Sequence, residues 1–323
     1  MKTITKFTSA AFAVVVLAIG GATANAALGD LFVSIDPTAE NGAGSILRYA
    51  PDGTQSVFAS GLSQPRAMAF DHFGNLFVTT TTFDEATKMY QASVLKITSD
   101  GIQSIFATFD GNLFGQGVVF DRTGNLFVAV VDETNFPTGP STIYKFPPNG
   151  GQSVFASFPG NCISDLVFDT FGNLVAADSW FQYIYKFAPD GTKSVFADPS
   201  AFEFNEGPEG LAFDRFGNLF ASTLHSTSTG TDRILKFTPN GVGTPFATDL
   251  DLPRGLKFDR SGNLFVAERG LFAPPGDVLK FTPDGNGTVF APDLEDPLFL
   301  VFQVVPTPRA RPTPPPRPTP RPH

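Results

Sequence analysis

The chain has 323 residues, of which 42% are hydrophobic and 16% charged, with 36 Phe, 31 Gly and 28 Pro. That mix favours many short strands joined by tight turns over helices, because Gly and Pro punctuate the chain while Phe fills pleated interfaces. The net charge is −9, and six of the 22 basic residues (Lys2, Lys6, Arg309, Arg311, Arg317 and Arg321) lie in the two ends, where no acid is found. The body is therefore more acidic than the whole, which excludes nucleic acid and anionic membrane surfaces as partners.

Lys2 and Lys6 precede an apolar run from Ala10 to Ile19, and Ala24-Asn25-Ala26 supplies an A-x-A cleavage site. Residues 1–26 thus read as a secretory signal peptide, placing the mature protein outside the cell or in the periplasm. The run is too short to span a bilayer, and no second apolar segment of spanning length follows. Cys162 is the one cysteine, so the exported chain holds together without internal disulfides and relies on a continuous core.

From residue 27 a motif, F-D-x-x-G-N-L-F/V-V/A, recurs at Phe70–Val78, Phe120–Val128, Phe168–Ala176, Phe213–Ala221 and Phe258–Val266, with a truncated copy at Gly29–Val33. The aligned residues Asp30, Asn75, Asn125, Asn173, Asn218 and Asn263 are spaced 45, 50, 48, 45 and 45. Such a period signals a propeller or solenoid. Between the copies stands I/V-L/Y-K/R-F/Y-x-P-D/N-G-x-x-S/T-V-F-A, as in Ile184–Ala197 and Val278–Ala291. Asp-Gly or Asn-Gly between alternating apolar runs is a hairpin signal, since Gly accepts positive φ without steric cost. Each repeat then holds four antiparallel strands, with the Asp and Gly of F-D-x-x-G-N making the turn between the first two.

The mature chain begins at a second strand with no first strand before it, and Pro297–Phe302 is a first strand with no second strand after it. Pairing the two gives a closed all-β ring of six blades and 24 strands, with no edge left open at the seam. A propeller over residues 27–304 follows, and the repeated phenylalanines pack between its blades. Residues 305–323 are Pro- and Arg-rich and read as a disordered, extended tail that would tether or space the protein at the cell envelope.

The string Pro208-Glu209-Gly210-Leu211-Ala212-Phe213-Asp214-Arg215-Phe216-Gly217-Asn218-Leu219-Phe220 resembles the NHL-repeat family, as do Pro253–Val266 and Pro65–Val78. The resemblance covers about residues 29–302 and implies a six-bladed propeller that serves mainly as a binding platform. NHL-like propellers share a superfamily with gluconolactonase-type hydrolases and streptogramin lyases, which use a divalent metal at the central channel. The gluconolactonase pattern resembles an early E-G-P followed by an aromatic; here Glu206-Gly207-Pro208 lies in the fifth blade and Glu209 follows it. The lyases look to need a His and a Glu near the channel. The body has only His72, in a repeat turn where the aligned residues are Arg122, Thr170, Arg215 and Arg260, and His225, in a Ser/Thr-rich loop.

Turns within the repeat fall on one face and are monotonous; the other connections vary in length and are the natural site of function. Most acids outside the repeated turns fall on that second face, so a negative face around the channel mouth is expected. Calcium or another divalent cation is the cofactor such carboxylates would suit, although no D-x-D-x-D-G loop occurs and no cofactor is assigned.

Four residues before each repeat Phe of the inner strands stand Arg66, Gln116, Ser164, Glu209, Arg254 and Leu298. Five of the six are polar where a core strand prefers apolar residues. Arg66, Gln116, Asp165, Glu209 and Arg254 are therefore candidate channel contacts, with the two arginines suited to a carboxylate or phosphate. Asp178 and Glu268, ending second strands, and Trp180, in the shortest variable connection, complete the candidate mouth. No catalytic residue is nominated. The reading is an exported monomer that binds a protein, small-molecule or carbohydrate ligand through its acidic variable face; the alternative is a metal-dependent lactonase or lyase at the channel.

Overall fold

The computed structural model describes residues 29–36, 43–135, 139–160, 162–225, 232–270 and 275–303. The signal peptide and the Pro/Arg tail lie outside the described residues. The 24 strands form six four-stranded antiparallel sheets with two short 3-10 turns between them. Each sheet after the first runs consecutively from an inner strand to an outer one.

The first blade is composite. Pro297–Phe302 is its inner strand and pairs antiparallel with Leu31–Ile35, with Leu31 opposite Phe302 and Val33 opposite Leu300. Backbone bonds extend the seam at both ends, from Gln303 N–H to Asp30 O and from Asp36 N–H to Asp296 O. Gly44–Tyr49 and Gln55–Leu62 complete the sheet. The ring is thus sealed by the two ends of the folded chain.

The core lies between blades, in six clusters, one per interface. An aromatic triad repeats in five of them. Phe220 stands edge-on to Phe246 of its own blade and Phe258 of the next, with centroids 5.0 and 4.9 Å away. Phe32, Phe77, Phe127 and Phe265 do the same in other blades. Edge-to-face geometry suits the ring quadrupoles. In the fourth blade Val175 replaces the central Phe. There Lys186, whose counterparts Lys96, Lys145, Lys236 and Lys280 lie over the central rings, instead pairs with Asp169 at 2.9 Å.

The repeated turn works as its sequence requires. Asp71 Oδ1 accepts from the N–H groups of Phe73 and Asn75, its Oδ2 accepts from Asn75 Nδ2, and Gly74 adopts φ 84°. Asp121, Asp169, Asp214 and Asp259 repeat the arrangement. His72 is exposed in this turn, its ring against Phe73. Among the described residues no helix is long and apolar enough to cross a membrane.

Candidate functional site

The inner strands position the site through a repeated irregularity. In the third to sixth blades the pairing of inner and second strands slips where Gln116, Ser164, Glu209 and Arg254 stand, and in the first blade it slips between Val33 and Ile35, opposite Leu298 and Phe299. A bulge bends its strand and re-aims a side chain. In the third, fifth and sixth blades the residue that follows is a glycine, Gly117, Gly210 or Gly255, because adjacent inner strands approach closely there. A Cβ on Gly210 would stand 2.2 Å from Arg254 O, and one on Gly255 would stand 2.7 Å from Phe299 Cα.

Round the ring the order is Leu298, Arg66, Gln116, Ser164, Glu209, Arg254, so the two arginines flank the apolar member. The five polar members line one cavity of about 550 Å³ at the end of the channel where the variable connections gather. Ser164 Oγ is spent on the neighbouring blade, donating towards the carbonyls of Pro208 and Glu209. Arg254 Nη1 donates to Glu209 Oε2 at 2.8 Å. Arg66 makes no ion pair among the described residues; its guanidinium lies 5.2 Å from the centroid of Phe114. Burial and the nearby Arg254 charge hold Arg66 below the usual arginine range. Among the described residues four lining atoms, Arg66 Nε, Gln116 Oε1, His225 Nδ1 and Arg254 Nε, are buried without a hydrogen-bond partner.

Of the eight residues singled out in the sequence, Arg66, Gln116, Trp180, Glu209 and Arg254 line this cavity. The other three are turned into the protein. Asp165 is buried and accepts from the N–H groups of Leu166 and, across the blade boundary, Leu211. Burial pushes its carboxyl up to about 6 despite those donors. Asp178 accepts from Cys162 N–H and Phe181 N–H, shaping the Trp180 turn. Glu268 accepts from Asp251 N–H at 2.7 Å. All three serve the scaffold by meeting main-chain donors that burial would otherwise strand.

Several lining residues carry no signal in the repeat: Phe114, Glu133, Cys162, Phe204 and His225. Burial pushes the Cys162 thiol up to about 11, leaving it a poor nucleophile. The His225 side chain is 5% exposed, with Nδ1 3.6 Å from Asp232 Oδ1 and Nε2 3.7 Å from Glu203 Oε2. Trp180 and Phe204 are exposed at the rim.

The acids of this face divide in two. Glu206, Asp232 and Asp296 are buried in internal bonds, Glu206 with Arg233 and Asp296 with Arg269. Asp84, Glu85, Asp198, Glu203, Asp249, Asp293 and Glu295 are exposed. A divalent cation needs several oxygen donors converging on one point. Among the described residues no three His, Cys, Asp or Glu side chains do so, and two guanidinium groups occupy the channel ring. The donor set does not fit a channel metal.

The closed ring and the channel cavity define the class: a six-bladed β-propeller. No family model matches the sequence, and no curated protein matches it. Solved structures do match in fold. An inactive variant of virginiamycin B lyase from Staphylococcus aureus, solved with quinupristin, aligns with TM-score 0.56 at 14% identity over 84% of this chain and 92% of that one. A gluconolactonase-like protein aligns with TM-score 0.51 at 18% identity over 80% of this chain and 84% of that one. A protein from Lactobacillus plantarum aligns with TM-score 0.57 at 13% identity over 86% of this chain and all of that one. Identities this low establish the shared fold and leave the activity to the site.

Proposed function

We propose that this is an exported, non-catalytic propeller that binds a small-molecule ligand at the channel mouth of its variable-loop face. The observation that carries the reading is the unpartnered polar lining of one ligand-sized cavity. Arg66 Nε, Gln116 Oε1 and Arg254 Nε are buried and unmet among the described residues. Each such group costs about 1–3 kcal/mol unless something bonds it, and a bound molecule would do so. The volume is that of an ordinary small-molecule site. Trp180 and Phe204 add aromatic surface at its entrance. The structural neighbour solved with quinupristin is a precedent for a small-molecule ligand on this fold.

The alternative, a metal-dependent lactonase or lyase, has less support, because the two guanidinium groups of the channel ring repel a cation. A thermal-shift screen of a small-molecule library tests the two together, run beside a lactone-hydrolysis assay with and without Ca²⁺ and Mg²⁺. The proposed function predicts stabilising compounds whose effect is lost in Gln116→Ala, and no metal-dependent turnover. Turnover that requires metal and disappears in Glu209→Gln would overturn it.

A further inference from the structure

We infer that the channel cavity recognises a small-molecule monocarboxylate with an apolar or aromatic body, and that Arg66 is its anchor. The inference rests on the binding reading above and adds the chemical class of the ligand.

The ion pairing inside the cavity selects the class. Two guanidiniums and two carboxylates, Glu209 and Glu133, line it, and Glu209 pairs with Arg254. That leaves Arg66, which no carboxylate approaches within ion-pair distance among the described residues. Its ring contact with Phe114 holds the guanidinium in place without neutralising it. A guanidinium buried in this way favours an oxyanion, and its fork matches a carboxylate in two parallel bonds. One guanidinium fork without an ion-pair partner matches one carboxylate. A phosphate dianion would leave excess negative charge beside Glu209 and Glu133, which also face the cavity.

The remaining lining places the rest of the ligand. Gln116, next to Arg66 in the ring, is 5% exposed and unmet at Oε1; turned over, its amide presents N–H to a carboxylate. Phe114, Trp180, Phe204, Leu224 and Leu252 present apolar surface to the same space. A ligand of this class therefore puts its carboxylate between the arginines on the Leu298 side and its body towards Trp180. The exposed acids of the rim oppose anion entry only weakly, since surface charges are screened over about 10 Å in ordinary salt.

Three probes of one shape separate the outcomes: 3-phenylpropionate, its neutral amide, and phenethyl phosphate, each titrated into the mature protein by calorimetry and by Trp180 fluorescence. The expected result is at least about tenfold tighter binding of the carboxylate than of the amide, as befits a charge-assisted pair against a neutral bond. The phosphate should bind more weakly than the carboxylate. Arg66→Gln should erase the carboxylate preference while keeping the amide's affinity, and Arg66→Lys should keep part of it. Equal binding of acid and amide by the wild type overturns the carboxylate assignment and leaves the cavity as a binding site. Tightest binding by the phosphate overturns it in favour of a dianion. Failure of all three probes to bind overturns the cavity reading along with it. The wild-type comparisons need no variant to fold.

Discussion

Arg254 Nη1 donates to Glu209 Oε2 at 2.8 Å across the boundary between the fifth and sixth blades, and this pair decides which cation of the channel ring is free. Both side chains are largely buried, so the carboxylate neutralises Arg254 far more than a surface partner would. Arg66, on the other side of Leu298, has no such partner among the described residues.

The pairing gives a prediction of unusual sign. Glu209→Gln releases Arg254, so 3-phenylpropionate should bind several-fold more tightly to this variant than to the wild type. Calorimetry measures it directly. Weaker binding would mean that Glu209 itself touches the ligand, or that Arg254 loses its position without it.

Stability rests on the inter-blade aromatic triads. Phe220 is buried and meets Phe246 and Phe258 edge-on. Phe220→Ala should cost about 3–5 kcal/mol in chemical denaturation, the usual cost of emptying a buried Phe site. Phe171→Ala removes a ring that is exposed in a repeat turn and should change stability by less than about 0.5 kcal/mol. Comparable losses in both variants would contradict the packing described.

Closure of the ring is separable from the tail. Deleting residues 305–323 should leave melting temperature and oligomeric state unchanged. Deleting 297–323 removes the inner strand of the first blade and exposes Leu31–Ile35 as an unpaired apolar edge, which should give oligomers or aggregate on size-exclusion chromatography. A soluble monomer from the second deletion would show that the seam is dispensable.

Asp36 lies beside the seam, and burial followed by the nearby Asp296 carboxylate pushes its pKa up to about 6. A carboxyl raised above its unfolded value favours the folded state while protonated. Its contribution is lost as pH climbs from about 4 to about 6. The charge-free Asp36→Asn variant should therefore melt near the wild type at pH 4 and several degrees above it at pH 7, as calorimetric scans across that range would show. A difference independent of pH would exclude Asp36 as the titrating group.

Much of this architecture is legible in the sequence because it is periodic. The F-D-x-x-G-N turn, the Asp/Asn-Gly hairpin and the orphan strand at Pro297–Phe302 each encode local geometry, and repetition makes them stand out. The ring from Arg66 to Leu298 is legible for the same reason: the strand bulge recurs, so its polar residues fall in one column. Asp165, Asp178 and Glu268 could not be sorted in this way. Whether a carboxylate faces the channel or caps a main-chain N–H depends on the course of one loop, as with Asp178 and the turn through Phe181. Phe114, Glu133 and Phe204 reach the cavity from outside the repeat motifs and leave no periodic mark. The acids of the variable face looked alike in sequence, yet half-hidden partners such as Arg233 and Arg269 consume several of them.

A crystal structure of the mature protein grown with 3-phenylpropionate tests the central claim most directly. The account predicts density in the channel mouth, with the carboxylate bonded to Arg66 and the ring directed towards Trp180. A ligand bound instead on the face of the repeated turns, with Arg66 turned onto Glu133, would contradict it.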